Sequence, residues 1–295
     1  MYIREPEQPV LRLKNDLLFK AVYGSDTEES KYILMSLLNK ILKRTEDPIT
    51  NIEYKNPFNI RSYVREKENI LDIKAETDHN ELIDIEMQIM WGKDMPSRLL
   101  SYHGGLLREA LQAGDKYDRM KQTITICITD SIAFRETEKF LTEFYLMEEE
   151  EHFMFTRITR ICCIELPKVN REGKRPEELT PLEICLEYLK NADENGSEYV
   201  DELIRRGGKD LEMAQNILRK ATEEEILREK AIAHEKFLRD QAYWRDSYAR
   251  GIREGKEEGR AEAAKEIAKK FKDAGFSVEI IAENTGLKIR EIENL

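Results

Sequence analysis

The chain has 295 residues, and its 59 acidic and 48 basic side chains give it a formal net charge of −11 at pH 7. This charge argues against a protein that coats nucleic acid through a broad basic surface, but it is compatible with a nuclease, because carboxylates that hold metal ions are themselves negative. The 14 Gly and 8 Pro are too few for a collagen-like or a Pro/Gly-rich disordered chain.

The first 170 residues predict a mixed α/β core. Apolar residues recur at helical spacing over 13–43 and again over 97–113. Strand-like segments are predicted at 49–58, 69–77, 81–91 and 123–130. A hairpin with a turn of four glutamates follows, and the segment RICCIELPK predicts one more strand. Helices and strands in this order are typical of a mixed β-sheet flanked by helices.

An all-helical extension is predicted after residue 170. Its segments are a helical subdomain at 171–221 with short helices at 181–191, 198–206 and 210–221, a long charged helix at 222–272, and a tail at 273–295. The tail pattern of two short helices separated by Gly286 resembles part of a helix-turn-helix, and a packing or oligomerisation unit is the alternative interpretation.

Three features of the sequence bear on the cellular compartment of the protein. No apolar run reaches the about 18 residues that a membrane helix needs, and the N-terminal segment lacks the apolar stretch of a signal peptide. The cysteines stand in apolar surroundings without a CxxC pair, so we interpret them as buried thiols rather than zinc or redox centres. We expect a cytoplasmic protein without a membrane segment.

Two neighbouring strands carry polar faces that are predicted to coincide. Asp72 and Lys74 alternate with apolar residues on the first strand, as Asp84 and Glu86 do on the second. A hairpin centred on His79, with a loop of three or five residues, places Asp72 opposite Glu86 and Lys74 opposite Asp84. Opposed Cβ atoms lie about 4.5–5.5 Å apart, so the two carboxylates repel unless a cation lies between them or one is protonated.

Three interpretations of this hairpin remain open on the residues alone. It can be a half-solvated hairpin whose polar face meets water, with Lys74 relieving the charge. It can be a site for a hard metal ion such as Mg²⁺, which prefers oxygen ligands and binds substrate phosphate. It can also be an acid/base pair of the glycosidase kind, although nothing else in the chain suggests sugar binding.

Longer segments carry a family resemblance. LKNDLLFKAVYGS, ILDIKA, IDIEMQ and RLLSYHGGLLREALQAGDKYDRMKQTITICITD resemble, in that order, the recombination-promoting nuclease (Rpn) and transposase branch of the PD-(D/E)XK nuclease superfamily. The similarity runs from about residue 11 to 168 and extends to the acidic hairpin and the closing IELPK. It implies a restriction-endonuclease-like core.

The resemblance also implies a metal site. Asp72 and Glu86 match the metal-binding acids of the family, and the backbone carbonyl of Met87 is the third expected ligand. Asp16, in the first predicted helix, matches an early acidic position and is expected to act on the metal through water. Mg²⁺ is the expected ion, and Mn²⁺ is expected to substitute for it.

Other matched positions concern charge and substrate. Gln88 stands where the wider superfamily has a lysine, and an amide cannot supply the positive charge that activates the attacking water. We infer that Lys74, on the same face as Asp72, supplies it. Arg98 and Tyr102 share one helical face and are expected to contact the scissile phosphate; the alternative is an ordinary surface arginine beside a half-buried tyrosine.

The sequence thus predicts a magnesium-dependent endonuclease that hydrolyses DNA. The resemblance links it to recombination, mobile elements or defence, and a transposase that joins as well as cuts is a further option. The competing hypothesis is a weakly active or inactive nuclease-fold module that binds DNA or protein through its helical tail. A symmetric homodimer is plausible, since cutting both strands is simplest with two sites. P-loop, zincin and hydrolase motifs are missing, so no organic cofactor is expected.

Overall fold

The core of the fold is a mixed six-stranded sheet. In the computed structural model, the described residues are 10–58, 72–111, 114, 116–224, 228–229, 231–233, 262–273 and 277–294. The strands are β1 (Ile52–Tyr54), β2 (Asp72–Thr77), β3 (Glu81–Gln88), β4 (Gln122–Thr129), β5 (Leu141–Tyr145) and β6 (Thr159–Glu165). They are arranged in the order β1-β2-β3-β4-β6-β5. The pairs β3–β4 and β4–β6 are parallel, and the remaining pairs are antiparallel.

Helices flank this sheet and form the C-terminal part of the described chain. They are α1 (Asp16–Tyr23), α2 (Glu28–Ile41), α3 (Met95–Glu109), α4 (Pro181–Asn191), α5 (Glu198–Gly207), α6 (Lys209–Glu223), α7 (Val278–Thr285) and α8 (Ile289–Glu293). Residues 262–273 are helical as well. None of the described helices is both long and apolar enough to cross a bilayer.

The two faces of the sheet differ in what covers them. Ile73, Ile83 and Ile85 point into the large apolar core that α1, α2, α4, α5 and α6 share with the sheet. On the opposite face, Met95 and Leu99 of α3 pack against the thiols of Cys127 and Cys163. Because neighbours on a strand alternate between faces, the polar residues of β2 and β3 lie on the α3 side.

One glycine lets α1 approach the sheet closely. Gly24 caps the C-terminus of α1, and a Cβ atom added there would lie 3.1 Å from the side chain of Ile73 and 3.0 Å from the carbonyl oxygen of Lys20. At the other end of α1, the Asn15 side chain accepts the N–H of Leu17 at 3.1 Å, as expected of an N-cap. These two ends set the path of α1 across the sheet.

The chain divides into two compact units, Met1–Ala233 and His234–Leu295. In the second unit, Ala268, Ile281 and Ile292 form a small apolar cluster, and Gly286 ends α7 in the left-handed region at φ 72°. The two short helices predicted for the tail are therefore confirmed, whereas the helix-turn-helix resemblance stays a prediction.

Most predicted elements of the core are confirmed, and three differ in extent. The strand predicted at 81–91 ends at Gln88. The strand predicted at 49–58 forms only over Ile52–Tyr54, because Phe58 bridges to Ser25 next to α1 instead. The helix predicted at 97–113 begins earlier and ends at Glu109. All four cysteines are buried and free, as predicted. Residues 69–71 and most of the predicted long helix at 222–272 lie outside the described residues, and the predicted boundaries at 170, 221 and 272 stay predictions.

Candidate active site

The hairpin of β2 and β3 has the predicted register. Its loop consists of Asp78, His79 and Asn80, and the backbone pairs Asp72 with Glu86 and Lys74 with Asp84. Asn80 adopts φ 57°, a left-handed conformation that asparagine tolerates better than most residues. Directly opposed residues of an antiparallel pair share a face, so this register puts positions 72 and 86 on the same side of the sheet.

Two carboxylates of β3 are buried on this face. Glu86 is 4% exposed and Asp84 is 1% exposed. The Gln88 side-chain amide donates a hydrogen bond of 3.1 Å to Glu86 Oε2, which orients that carboxylate. The position of the Asp72 side chain lies outside the described part of the structure. Burial of charged oxygens is costly unless they are compensated, so these two carboxylates require polar or cationic partners on this face.

Helix α3 is held over the same face by a buried polar network. His103 Nδ1 lies 2.8 Å from Thr125 Oγ1, and its Nε2 contacts Thr159 Oγ1. Thr123 Oγ1 donates to Thr159 Oγ1 at 2.8 Å. Burial lowers the pKa of His103, which favours the neutral ring inside this network. The network links α3 to β4 and β6 beside the acidic strand β3, and it gives His103 a role in the core.

Arg98 of α3 is brought near Glu86. Its guanidinium donates to the Tyr102 hydroxyl at 3.3 Å, and both side chains are exposed. That hydrogen bond raises the pKa of Arg98, burial opposes the shift, and the charges of Glu86 and Asp94 add to it. Burial raises the pKa of the Cys127 thiol, nearby Glu86 raises it further and Arg98 lowers it. Arg98, Glu86 and Cys127 therefore lie within electrostatic range of one another.

Lys74 lies on the α3 side but is bound at the far end of the helix. Its Nζ atom lies 3.1 Å from Glu109 Oε1, and its side chain is partly exposed. Its backbone N–H donates to Asn56 Oδ1 at 2.7 Å, which holds β2 beside the segment that follows β1. The ammonium thus lies on the α3 side of the sheet, next to the exposed carboxylate of Glu109.

Asp16 lies at the start of α1, which approaches the sheet from the opposite face. It is 6% exposed, and its Oδ1 atom accepts the N–H of Leu17 at 2.8 Å. Two residues earlier, Lys14 forms an ion pair with Asp130, whose N–H donates to the carbonyl oxygen of Gln88 at 2.9 Å. The start of α1 is therefore attached to the edge of the sheet where β3 and β4 end.

Three charged residues in or near α1 were not predicted. Lys14 and Asp130 form the ion pair just described, and Lys20 is 4% exposed one helical turn after Asp16. The position of Asp130 could have been predicted from the sequence, because it directly follows an apolar strand. Parallel neighbouring strands end at the same edge of a sheet, so a polar residue there lies near the end of β3. Lys20 stands between apolar residues of a buried helix, and a buried lysine in such a position is unusual and marks a functional candidate.

The residues present suit a hard divalent cation. Among the side chains that the structure describes, no three His, Cys, Asp or Glu groups are close enough to hold a metal, and Asp72 is not among those side chains. The donor chemistry nevertheless fits, because buried Glu86, the residue at position 72 opposite it and the backbone carbonyl of Met87 supply only oxygen atoms.

Comparison with protein families agrees with the fold. The mixed sheet flanked by helices is the restriction-endonuclease-like α/β core of the PD-(D/E)XK nucleases, which carry acidic positions on a hairpin as this chain does. Residues 13–248 match the family described as PD-(D/E)XK nuclease family transposase, and the chain belongs to this family. Comparison with curated proteins and with solved structures gave no significant match.

Proposed function

We propose that this protein is a metal-dependent endonuclease that hydrolyses phosphodiester bonds in DNA. Family membership supports a nuclease-type function. The observation that carries the proposal is the hairpin register, which sets Asp72 opposite the buried Glu86. An acidic pair of this kind is energetically unfavourable unless a cation or a proton offsets the repulsion.

The roles of the metal-site residues follow from their chemistry. Asp72, Glu86 and the Met87 carbonyl would hold Mg²⁺, or Mn²⁺ in its place, and Asp16 would act through water. When bound, a divalent cation supplies Lewis acidity, which favours ionisation of the attacking water and offsets charge on the phosphate. The Gln88 amide keeps the Glu86 carboxylate oriented through its hydrogen bond.

The substrate roles belong to cationic side chains. Arg98 would bind an oxygen of the scissile phosphate, since its guanidinium is exposed and lies within electrostatic range of Glu86. The Tyr102 hydroxyl holds that guanidinium in place. Lys74 would supply the positive charge that the amide of Gln88 lacks.

The test is nicking of supercoiled plasmid by the purified chain with magnesium, with manganese and with chelator. We expect cleavage that needs the metal and that Asp72→Ala and Glu86→Ala each reduce to background. Asp118→Ala is the matched control, because it removes an exposed carboxylate from a short helical turn outside the site. Cleavage that survives both site variants, in folded protein, contradicts the proposal.

A second function is favoured by two specific observations. Gln88 replaces the superfamily lysine, and the net charge is −11. Both suit a nuclease-fold module with little or no activity that acts in DNA or protein binding through its helical tail. In that case the wild-type chain leaves plasmid intact with either metal. Removal of residues 262–295 abolishes its binding to DNA or to the protein partner, whereas the Asp72→Ala variant binds normally.

A further inference from the structure

An apolar arm leaves the outer edge of the sheet. Residues 146–155, named here the arm, continue β5 and fold back as a two-stranded ribbon: Met147 bridges to Met154, and the Phe155 N–H donates to the Leu146 carbonyl at 3.0 Å. Phe155 is 78% exposed and Phe153 is 57% exposed. Two-stranded ribbons are marginally stable in water, and clustered exposed apolar side chains mark interaction surfaces.

The strand that carries the arm is an open edge of the sheet. β5 is the last strand in the sheet order. The Glu165 N–H donates to the Phe140 carbonyl at 2.8 Å, so alternation directs the backbone groups of Leu141, Glu143 and Tyr145 away from β6. A cavity of about 540 Å³ runs along these residues. Such an edge is a template for another strand, and 141–145 contains no Lys or Pro to prevent pairing.

A second cavity adjoins the start of β5. This cavity, named here the groove, has a volume of about 780 Å³, and most of its surface is apolar, with contributions from Tyr32, Met35, Ile49, Phe140 and Leu182. Lys43 lines both cavities, and Lys139 lines the one along β5. Within the described part of the chain, no ion pair involves Lys43 or Lys139.

The charge of the arm favours protein over DNA as its partner. The tip of the arm is a run of four glutamates, Glu148 to Glu151, which would repel a phosphate backbone. The same tip complements Lys43 and Lys139, and the aromatic side chains of the arm match the apolar walls of the groove. Arm and groove lie at opposite ends of one strand, so both features belong to one edge of each copy.

We propose that the chain forms a two-fold dimer in which β5 pairs antiparallel with β5 of a second copy and each arm lies along the partner's groove. In an antiparallel pair, the end of one strand lies beside the start of the other. Beyond Tyr145, each chain therefore passes the start of the other β5, where Phe140 and Leu182 line the groove. Glu143, near the axis, is paired with Arg160 at 3.3 Å, which limits repulsion between the copies.

The first test is the mass of the full chain by light scattering during size-exclusion chromatography. We expect about twice 34.7 kDa for the wild type and for Tyr117→Ser, whose tyrosine is 85% exposed in a short helical turn after α3. The double variant Phe153→Ser, Phe155→Ser is expected to elute as a folded monomer. A monomeric wild type, or a double variant that remains dimeric, overturns the proposal. A double variant that remains dimeric and loses DNA binding would show that the arm contacts DNA, and this result also overturns the proposal.

The second test does not depend on weakening the interface. Native cysteines are buried, so chains with Glu149→Cys and chains with Lys43→Cys can be mixed and oxidised. We expect a disulfide-linked pair of one chain of each kind. Replacing the second partner by Asp118→Cys, an exposed position outside the groove, is expected to give none. Equal cross-linking in both mixtures, or none in either, overturns the proposal, and neither result bears on nuclease activity.

Discussion

Gln88 shows how one side chain changes what its neighbours must do. An amide can orient the Glu86 carboxylate by a hydrogen bond, and it does so at 3.1 Å, but it cannot lower the free energy of a developing anion as an ammonium does. Lys74 is the cation opposite Asp84 on the same face, bound to the exposed carboxylate of Glu109. Because the Glu109 carboxylate is exposed, this ion pair is weak, and Lys74 can exchange it for a contact with substrate.

Substitution of Lys74 tests this division of roles. We expect Lys74→Met to reduce metal-dependent cleavage by about 10²-fold, the usual cost of losing one electrostatic contact in a transition state. Glu109→Gln neutralises the carboxylate that pairs with the ammonium without removing the ammonium itself, and it is expected to keep or raise the rate. The measurement is the initial rate of plasmid nicking with both variants at equal magnesium. Unchanged turnover in Lys74→Met would assign the charge to another residue.

His103 predicts a pH dependence of stability. Burial lowers the pKa of its imidazole in the folded state, so the unfolded chain binds the proton more readily. The free energy of unfolding therefore falls as pH drops below about 6.5, the ordinary value for histidine, until the lower folded-state pKa is passed. Above about pH 6.5 the His103 ring is neutral in both the folded and the unfolded chain, so its stabilising contacts are fully retained.

The measurement is urea unfolding at several pH values between 7.5 and about 5, above the range in which most carboxylates titrate. We expect His103→Gln to lower stability at neutral pH, because its amide cannot reproduce both threonine contacts, and to flatten the decrease toward acid. His79→Gln, in the hairpin turn, is the matched control. A His103→Gln variant with the wild-type slope would contradict this account.

At the scale of elements, strict alternation made the hairpin predictable. Ile83 and Ile85 must enter the core, so Asp84 and Glu86 must face the other way, and a shift of one residue would invert both. The pair between Lys74 and Glu109 could not be predicted. These residues are 35 positions apart, and their contact depends on how α3 crosses the sheet, which local periodicity does not specify.

The turn that sets this register can be tested at Asn80. Its φ of 57° costs a β-branched residue about 1–2 kcal/mol, whereas glycine adopts it without strain. We expect Asn80→Val to lower the free energy of unfolding by that amount and Asn80→Gly to change it little. Chemical denaturation of both variants provides the comparison. Equal stabilities would mean that the turn does not constrain the hairpin.

At the scale of the whole molecule, sheet order decides what each edge can do. The strand segments could be recognised one by one, but nothing in their periodicity indicated that β6 would insert between β4 and β5. That insertion leaves β5 and its apolar arm at an edge, while β3 and its carboxylates lie inside the sheet beneath α3. The candidate catalytic face and the proposed dimer edge are therefore separate parts of the first unit.

Crystals of the full chain soaked with manganese, with anomalous diffraction recorded at the manganese edge, test the central claim most directly. The account predicts one strong peak between the carboxylates of residues 72 and 86, with the Met87 carbonyl as a further ligand and no peak in crystals of Glu86→Gln. Carboxylates turned to opposite sides of the sheet, or a peak that persists without the Glu86 carboxylate, would contradict it.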